Sequence, residues 1–209
     1  MLFEIPKDAV LKLMIGQIST FFSISANEVN TINTLSDEVF ERCDVCFSKN
    51  ENKYYSREGK TYFNPFHSGQ YTVFLYYFSN TIFKNKKDQI RLADKIYYLN
   101  KIMNSCDLFY EIELPKYFSL DQPVGSVLGR ASYGNFFKFT QNCTVGSNKN
   151  KYPTFGDHVT MTASAMVFGD SKIGNNVTIG VGAIVKDEDI PDNSLVFGQS
   201  PNLIIKEQK

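Results

Sequence analysis

A six-residue period in the second half of the chain constrains its fold more than any other feature. From position 155 onward, medium or large apolar residues recur at every sixth position: Phe155, Met161, Val167, Ile173, Ile179 and Val185. An α-helix repeats every ~3.6 residues and a simple strand about every two, so neither produces this pattern. Six residues suit a short strand with a tight turn, and three such repeats form one coil of a parallel β-helix. The sequence therefore predicts a β-helix whose first-place apolar side chains point inward and stack from coil to coil.

The glycine distribution divides the chain in two. Ten of the 13 glycines follow residue 120. Before that point, apolar residues are spaced by three and four, which is typical of amphipathic helices. We expect about four helices, over residues 8–18 with Asp8 as the cap, 36–47 beginning at Ser36, 71–83 and 90–102. The sequence thus predicts a helical domain over residues 1–115 and a β-helix domain over residues 116–209.

The charge balance excludes several classes of function. Lys+Arg 22 equals Asp+Glu 22, so the chain as a whole has no electrostatic attraction to nucleic acid or anionic lipid. The first residues carry Glu4 ahead of any apolar run, unlike the basic-then-apolar order of a secretory signal. The most apolar stretch, 71–83, is shorter than the ~20 residues that span a bilayer. We expect a cytoplasmic chain with no nucleic-acid partner and no membrane insertion.

The cysteine spacing argues against a metal site. Cys43 and Cys46 form one C-x-x-C pair, but a zinc site needs two further ligands, and Cys106 and Cys143 stand alone. We expect four reduced, buried thiols and no bound metal.

Three short motifs carry a family resemblance. Asp121-Gln122 precedes a P-x-G-x-V-x-G block at 123–129, and Gln141 then precedes a T-V-G step at 144–146. Together with the hexapeptide repeats, these motifs resemble the serine acetyltransferases and their relatives in surface-polysaccharide gene clusters. The resemblance runs from about residue 60 to the end of the sequence. It implies an α+β chain in which a helical domain is followed by a left-handed parallel β-helix.

The resemblance also implies an activity and an assembly. The family transfers acetyl from acetyl-CoA to a hydroxyl, here of serine or of a sugar in a surface polysaccharide or its precursor. Its site is shared between neighbouring β-helices, so we expect a homotrimer or a dimer of trimers.

The sequence departs from the family at the two histidine positions of the active site. The general-base histidine is replaced by Gln122, and the second histidine, in an inserted loop, is replaced by Tyr152. A Gln amide has no nitrogen that titrates near neutrality, whereas imidazole does. Three interpretations stay open: the chain is a stalled form of a histidine protein, another residue supplies the base, or the chain is a catalytically silent homologue that binds CoA or serves assembly.

Other candidate site residues follow from the family pattern. His67 is the candidate for an alternative base, against the simpler interpretation that it begins a helix. Asn64 replaces an Asp that holds the amino group of serine, and Gln141 and Tyr152 belong with it among the substrate-binding candidates. Three carboxylates are candidates for an orienting acid, or else are solvated charges: Glu111, Glu113 and Asp121.

Small residues indicate the position of acetyl-CoA. In the family, the pantetheine arm lies along coil edges where a larger side chain would block it. The matching positions here are Ala163, Ser164, Ala165, Gly180, Gly182 and Ala183, and Lys206 is a candidate partner of the 3′-phosphate.

Overall fold

The computed structural model describes residues 1–208, and these divide into two compact units. The helical unit contains Met1–Asn104 and Phe109–Glu111. The β-helix unit contains Ser105–Leu108 and the residues from Ile112 onward. The β-helix unit therefore begins before position 116, where the sequence predicts the domain boundary. The sequence does not indicate these first residues, because they carry no hexapeptide signature.

Four α-helices and one small sheet form the helical unit. The helices are α1 Lys7–Phe21, α2 Ala26–Phe47, α3 Ser68–Asn85 and α4 Ile90–Asn104. The strands are β1 Leu2–Phe3, β2 Ser56–Arg57 and β3 Lys60–Phe63, in the order β1-β3-β2. Helix α3 is buried on nearly all sides from Gly69 to Ile82, as expected for an apolar helix at the centre of a core.

Two predicted helix starts are wrong. Helix α1 begins after Pro6, and Asp8 lies inside its first turn, where it pairs with Lys12 at 3.4 Å. Helix α2 begins ten residues before Ser36, because Ser25 and Glu28 form a capping box that satisfies two otherwise free N–H groups. The Ser-x-x-Glu spacing signals this start, but the polar residues after it obscure the apolar face.

Thirteen short strands form the part of the β-helix unit that the structure describes. They are β4 Asp107–Leu108, β5 Phe118–Leu120, β6 Val127–Leu128, β7 Phe137–Phe139, β8 Thr144–Gly146, β9 Thr154–Phe155, β10 Thr160–Met161, β11 Met166–Phe168, β12 Lys172–Ile173, β13 Val177–Ile179, β14 Ile184–Lys186, β15 Ser194–Gln199 and β16 Asn202–Glu207. All ladders between coils are parallel, and β16 adds an antiparallel strand to β15.

The ladders make three faces. The first face is β5-β7-β10-β13-β15, the second is β4-β6-β8-β11-β14, and the third contains β9-β12. Thr160 pairs with Thr178 and Met166 pairs with Ile184, so three six-residue repeats complete one coil. The prediction of a helical domain followed by a parallel β-helix is confirmed.

The faces differ in their outward side chains. The outward ladder of the second face joins Val127, Thr144, Met166 and Ile184. The corresponding ladder of the first face joins Ser119, Lys138, Thr160 and Thr178. The second face is therefore the more apolar. Across residues 1–208, none of the helices combines the length and the apolar character needed to cross a membrane.

Candidate active site

Gln122 lies at the corner between the first and second faces, which we call the first corner. It is exposed, and its backbone has φ 48, with its carbonyl accepting a hydrogen bond from the N–H of Val124 at 2.8 Å. Among the described residues, none hydrogen-bonds to its side-chain amide. Gln122 is thus held by its backbone, and its side chain is available to a ligand.

The neighbouring carboxylate is already paired. Asp121 Oδ2 lies 2.6 Å from Lys138 Nζ, and both side chains are partly exposed. Because this pair spans two coils of the first face, Asp121 holds Lys138 rather than a group at position 122.

The first corner collects several predicted residues. Leu120 pairs with Phe139, so Gln122 and Gln141 occupy equivalent places in successive coils. Phe139 pairs with Met161, which brings Ala163 to the same place in the next coil. Coil-to-coil bonds join Ser164 N–H to the Gln141 carbonyl at 2.9 Å and Gly182 N–H to the Ala163 carbonyl at 3.0 Å.

Left-handed backbone shapes this corner. Asn142, Ser164 and Gly182 have φ 56, 61 and 67, a region that favours Gly and Asn. A Cβ built on Gly182 meets nothing within 4 Å, so the edge of the coil is open there.

Three predicted cofactor residues do not lie on this edge. Ala165 and Ala183 are fully buried inside the coil, because the fifth place of the repeat points inward. Gly180 is buried as well, and a Cβ there would come within 2.7 Å of Phe197 and of the Val196 carbonyl. Ala163, Ser164 and Gly182 are left as the accessible candidates, and Ala165, Gly180 and Ala183 serve packing.

Glu111 and Glu113 lie in an irregular segment rather than in a strand. Both are exposed, whereas Tyr110, Ile112 and Leu114 between and beside them are buried. Exposed and buried side chains therefore alternate in this segment although it forms no strand. Glu111 belongs to the helical unit and Glu113 to the β-helix unit.

The inserted loop is a tight hairpin. Asn148 and Lys151 exchange two backbone hydrogen bonds, of 3.1 and 2.8 Å, around Lys149 and Asn150, which have φ 49 and 60. Two central residues with positive φ indicate a type I′ turn. Tyr152, 41% exposed, follows this hairpin.

A pocket of about 570 Å³ lies beside the hairpin. It is lined by Asn148, Lys149, Lys151, Asp170, Lys172, Asp187 and Asp189. The Asp170 backbone N–H donates to Asp187 at 3.0 Å and lowers the pKa of that carboxyl. Three lysines face three aspartates, so this pocket carries no net charge.

Asn64 and His67 line a second pocket, of about 220 Å³, in the helical unit. We call it the Tyr54 pocket, and its residues are Glu4, Lys53, Tyr54, Ser56, Arg57, Tyr62, Asn64, His67 and Gln70. The polar stretch 48–60 supplies four of them, although the sequence indicates only a connection between helices there.

His67 begins helix α3. Its Nδ1 accepts a hydrogen bond from the Gln70 N–H at 3.3 Å, so the neutral ring carries its proton on Nε2. Partial burial lowers the pKa of His67 and favours this neutral form. With one nitrogen accepting and the other protonated, the ring has no free lone pair with which to take a proton.

Lys206 and the cysteines lie elsewhere. Lys206 is exposed on β16, with Nζ 5.9 Å from the centroid of the Phe197 ring. Cys43, Cys46, Cys106 and Cys143 are buried and form no disulfide, and burial raises the pKa of the Cys43, Cys106 and Cys143 thiols. Within residues 1–208, no group of three His, Cys, Asp or Glu side chains is placed to hold a metal ion.

Comparison with known proteins gives one family by two routes. No protein-family model matches the chain. A serine acetyltransferase from Synechococcus elongatus is 28% identical over 106 residues, 48% of this chain and 43% of that protein. A serine acetyltransferase from Staphylococcus aureus is 25% identical over 146 residues, 68% of this chain and 67% of that protein. The first alignment thus spans less than half of the relative's length.

Solved structures of serine acetyltransferases share the fold. The enzyme from Neisseria gonorrhoeae matches 96% of this chain and 80% of its own, with a TM-score of 0.72 and 17% identity. A serine acetyltransferase in complex with CoA matches 96% of this chain and 84% of its own, with a TM-score of 0.68 and 14% identity. In sequence similarity and in fold, the chain is therefore a serine acetyltransferase-like protein built on hexapeptide repeats.

Proposed function

We propose that the chain is an acetyl-CoA-dependent O-acetyltransferase of the serine acetyltransferase type. One observation carries this proposal: relatives found by sequence and neighbours found by fold are both serine acetyltransferases, and one of those structures contains CoA. The proposed reaction joins an acceptor hydroxyl oxygen to the thioester carbonyl carbon. The carbon–sulfur bond breaks, CoA leaves as the thiol, and the hydroxyl proton passes to a base and then to sulfur. Use of acetyl-CoA fits a cytoplasmic location.

The first corner supports a donor site. Ala163 and Gly182 present almost no side chain at the open edge of the coil, which leaves room for the pantetheine arm. Gly182→Asn tests this, because Asn tolerates φ 67 and projects into the space that the arm needs. We expect weaker CoA binding by calorimetry. Gly59→Asn is the matched control, since Gly59 has φ 72 and equally open surroundings in the helical unit.

Removal of the acceptor hydroxyl proton is the step for which this site lacks a suitable residue. Gln122 has no basic nitrogen, and the hydrogen bond at His67 Nδ1 argues against His67 as a substitute. Absence of a general base slows such transfers by about 10²–10⁴-fold. We propose slow turnover in the chain as it stands, with Gln122 hydrogen-bonding the acceptor.

Thiol release from acetyl-CoA, with serine and with a panel of sugars and sugar nucleotides, tests the activity. We expect Gln122→His to raise release by about 10²–10⁴-fold with the true acceptor. Gln122→Asn keeps an amide and adds no base, so we expect its thiol release to stay close to that of the unchanged chain. Equal activity of all three forms would place the base elsewhere.

The second candidate function is binding without transfer. The replacement of both family histidines, by Gln122 and Tyr152, favours it. It replaces the first proposal if CoA binds but Gln122→His releases no thiol with any acceptor. Loss of CoA binding as well would reject both.

We propose a homotrimer or a dimer of trimers as the assembly. The outward ladder of the second face supports this assembly, because it exposes apolar side chains that a neighbouring copy can bury. Val127 in this ladder is 42% exposed in the single chain. Light scattering on the purified chain gives the mass, and Met166→Lys is expected to reduce it. A monomeric wild type rejects this assembly.

A further inference from the structure

The Tyr54 pocket is preorganised by one buried amide. Gln70 is fully buried, and its Oε1 accepts from the Asn64 N–H at 2.6 Å. Its Nε2 donates to the Tyr54 carbonyl at 2.8 Å. Because Gln70 joins the two walls, the pocket residues are held in place before any ligand arrives.

The groups available in this pocket are mainly donors. His67 presents the protonated Nε2, and Asn64 keeps its amide donors because its Oδ1 already accepts from the Phe66 N–H at 2.8 Å. Arg57 uses one of its N–H groups on Glu4 at 3.2 Å and stacks 3.8 Å over the Tyr62 ring. A ligand for this pocket therefore presents acceptor oxygens.

The charges favour an anion. Glu4 Oε2 accepts from both the Tyr62 hydroxyl and Arg57, and these bonds lower the pKa of Glu4. Its charge is thus compensated by Arg57. Across the described part of the chain, no carboxylate pairs with Lys53, which leaves one uncompensated cation. An ammonium such as that of serine meets a Glu4 carboxylate whose charge Arg57 already compensates, and the neutral Asn64 amide.

An exposed ring completes the pocket. Tyr54 is 56% exposed, and its ring centroid lies 5.8 Å from that of His67 and 5.2 Å from Lys53 Nζ. The apolar face of a tyrosine can cover the C–H face of a sugar ring while neighbouring donors bind the hydroxyls.

We propose that the Tyr54 pocket binds a saccharide with a negative charge, carried by a carboxylate or a phosphate. The anion contacts Lys53 and the remaining Arg57 donors, and the sugar ring packs on Tyr54. That this saccharide is the acetyl acceptor rests on the proposed function, but its binding does not.

Ligand-observed NMR and calorimetry on the full chain, without acetyl-CoA, test the pocket. The probes are glucuronate, glucose 6-phosphate, glucose and serine. We expect one or both charged sugars to bind about tenfold more tightly than glucose, and the preferred one identifies the charge as carboxylate or phosphate. Lys53→Gln is expected to remove that preference, and Tyr54→Ala to weaken all three sugars.

Lys60→Gln is the matched control, because Lys60 is an exposed lysine of the adjacent strand outside the pocket. The proposal is overturned if glucose binds as tightly as the charged sugars, if serine binds more tightly, or if Lys60→Gln acts like Lys53→Gln. Circular dichroism confirms that each variant is folded. If a charged sugar binds selectively but Gln122→His releases no thiol, only the proposed acetyl transfer is rejected. The assignment of the Tyr54 pocket is then unaffected.

Discussion

The two units of the chain reach a dense core by opposite means. In the helical unit, Phe74 contacts the rings of Phe40, Phe63, Tyr71 and Phe78, at centroid distances of 5.1 to 5.6 Å. These contacts follow no sequence repeat. In the β-helix unit, one place in the repeat gives the same contact in every coil.

The two cores therefore tolerate different kinds of substitution. The helical core depends on the shapes of individual large side chains, so truncation is its main vulnerability. The β-helix depends on close approach between backbones, so an added atom is its main vulnerability. Substitutions of opposite kinds therefore test the two units.

Truncation of Phe74 is expected to have the largest effect. Phe74→Ala removes a fully buried ring from four aromatic neighbours and lowers the free energy of unfolding by about 3–5 kcal/mol. Urea denaturation followed by circular dichroism measures this. Val167→Ala, at a fully buried inward place of the β-helix, is the comparison and is expected to lose less. A larger loss from Val167→Ala contradicts the contrast.

Added volume is expected to damage the β-helix next most strongly. A Cβ on Gly134 would lie 2.2 Å from the Gly156 carbonyl oxygen and 2.7 Å from the Asp157 nitrogen. These are backbone atoms, which cannot rotate out of the contact as a flexible side chain can. We therefore expect Gly134→Ala to lower the free energy of unfolding by about 3 kcal/mol. The same denaturation measurement applies. A neutral result shows that neighbouring coils can separate without loss.

Replacement of His67 tests a single capping contact. His67→Ala removes the acceptor for the Gln70 N–H and is expected to lower the free energy of unfolding by about 1 kcal/mol, while His67→Asn keeps a cap. If His67 were the catalytic base, both variants would lose acetyl transfer equally, and we expect His67→Asn to retain it.

The same residue predicts a pH dependence. The folded-state pKa of His67 lies below its ordinary value of 6.5, so the unfolded chain binds the proton first as the pH falls. Its contribution is unchanged above about pH 6.5, and stability declines as the pH drops from there through the folded-state pKa. Thermal midpoints of wild type and His67→Asn at pH 7.5 and below are expected to separate in this way.

A helical glycine gives the smallest expected effect, with the opposite sign. Gly16 lies inside α1, and a Cβ there meets nothing within 4 Å. Gly16→Ala is expected to raise the free energy of unfolding by about 0.5–1 kcal/mol, because glycine loses more chain entropy in a helix. The thermal midpoint measures this gain. A loss of stability would break the contrast with Gly134.

The sequence predicted the positions of some candidate site residues in the fold better than those of others. Gln122, Gln141 and Ala163 share one corner because the repeat fixes their register, which can be counted along the chain. The family resemblance assigns Ala165, Gly180 and Ala183 to the edge, but they lie inside the coil, since small residues occur at both inward and outward places. In the helical unit, Asn64 and His67 could be singled out, but Lys53, Tyr54 and Arg57 could not.

By itself, the sequence determined the β-helix, because a period of six forces a side chain at each place to meet its counterpart one coil along. Only the tertiary structure decided which nitrogen of His67 carries the proton, where the charge of Glu4 is compensated and which donors line the Tyr54 pocket. Those properties depend on contacts between residues far apart in the chain, such as Glu4 with Arg57 and Tyr62, and no periodicity records them.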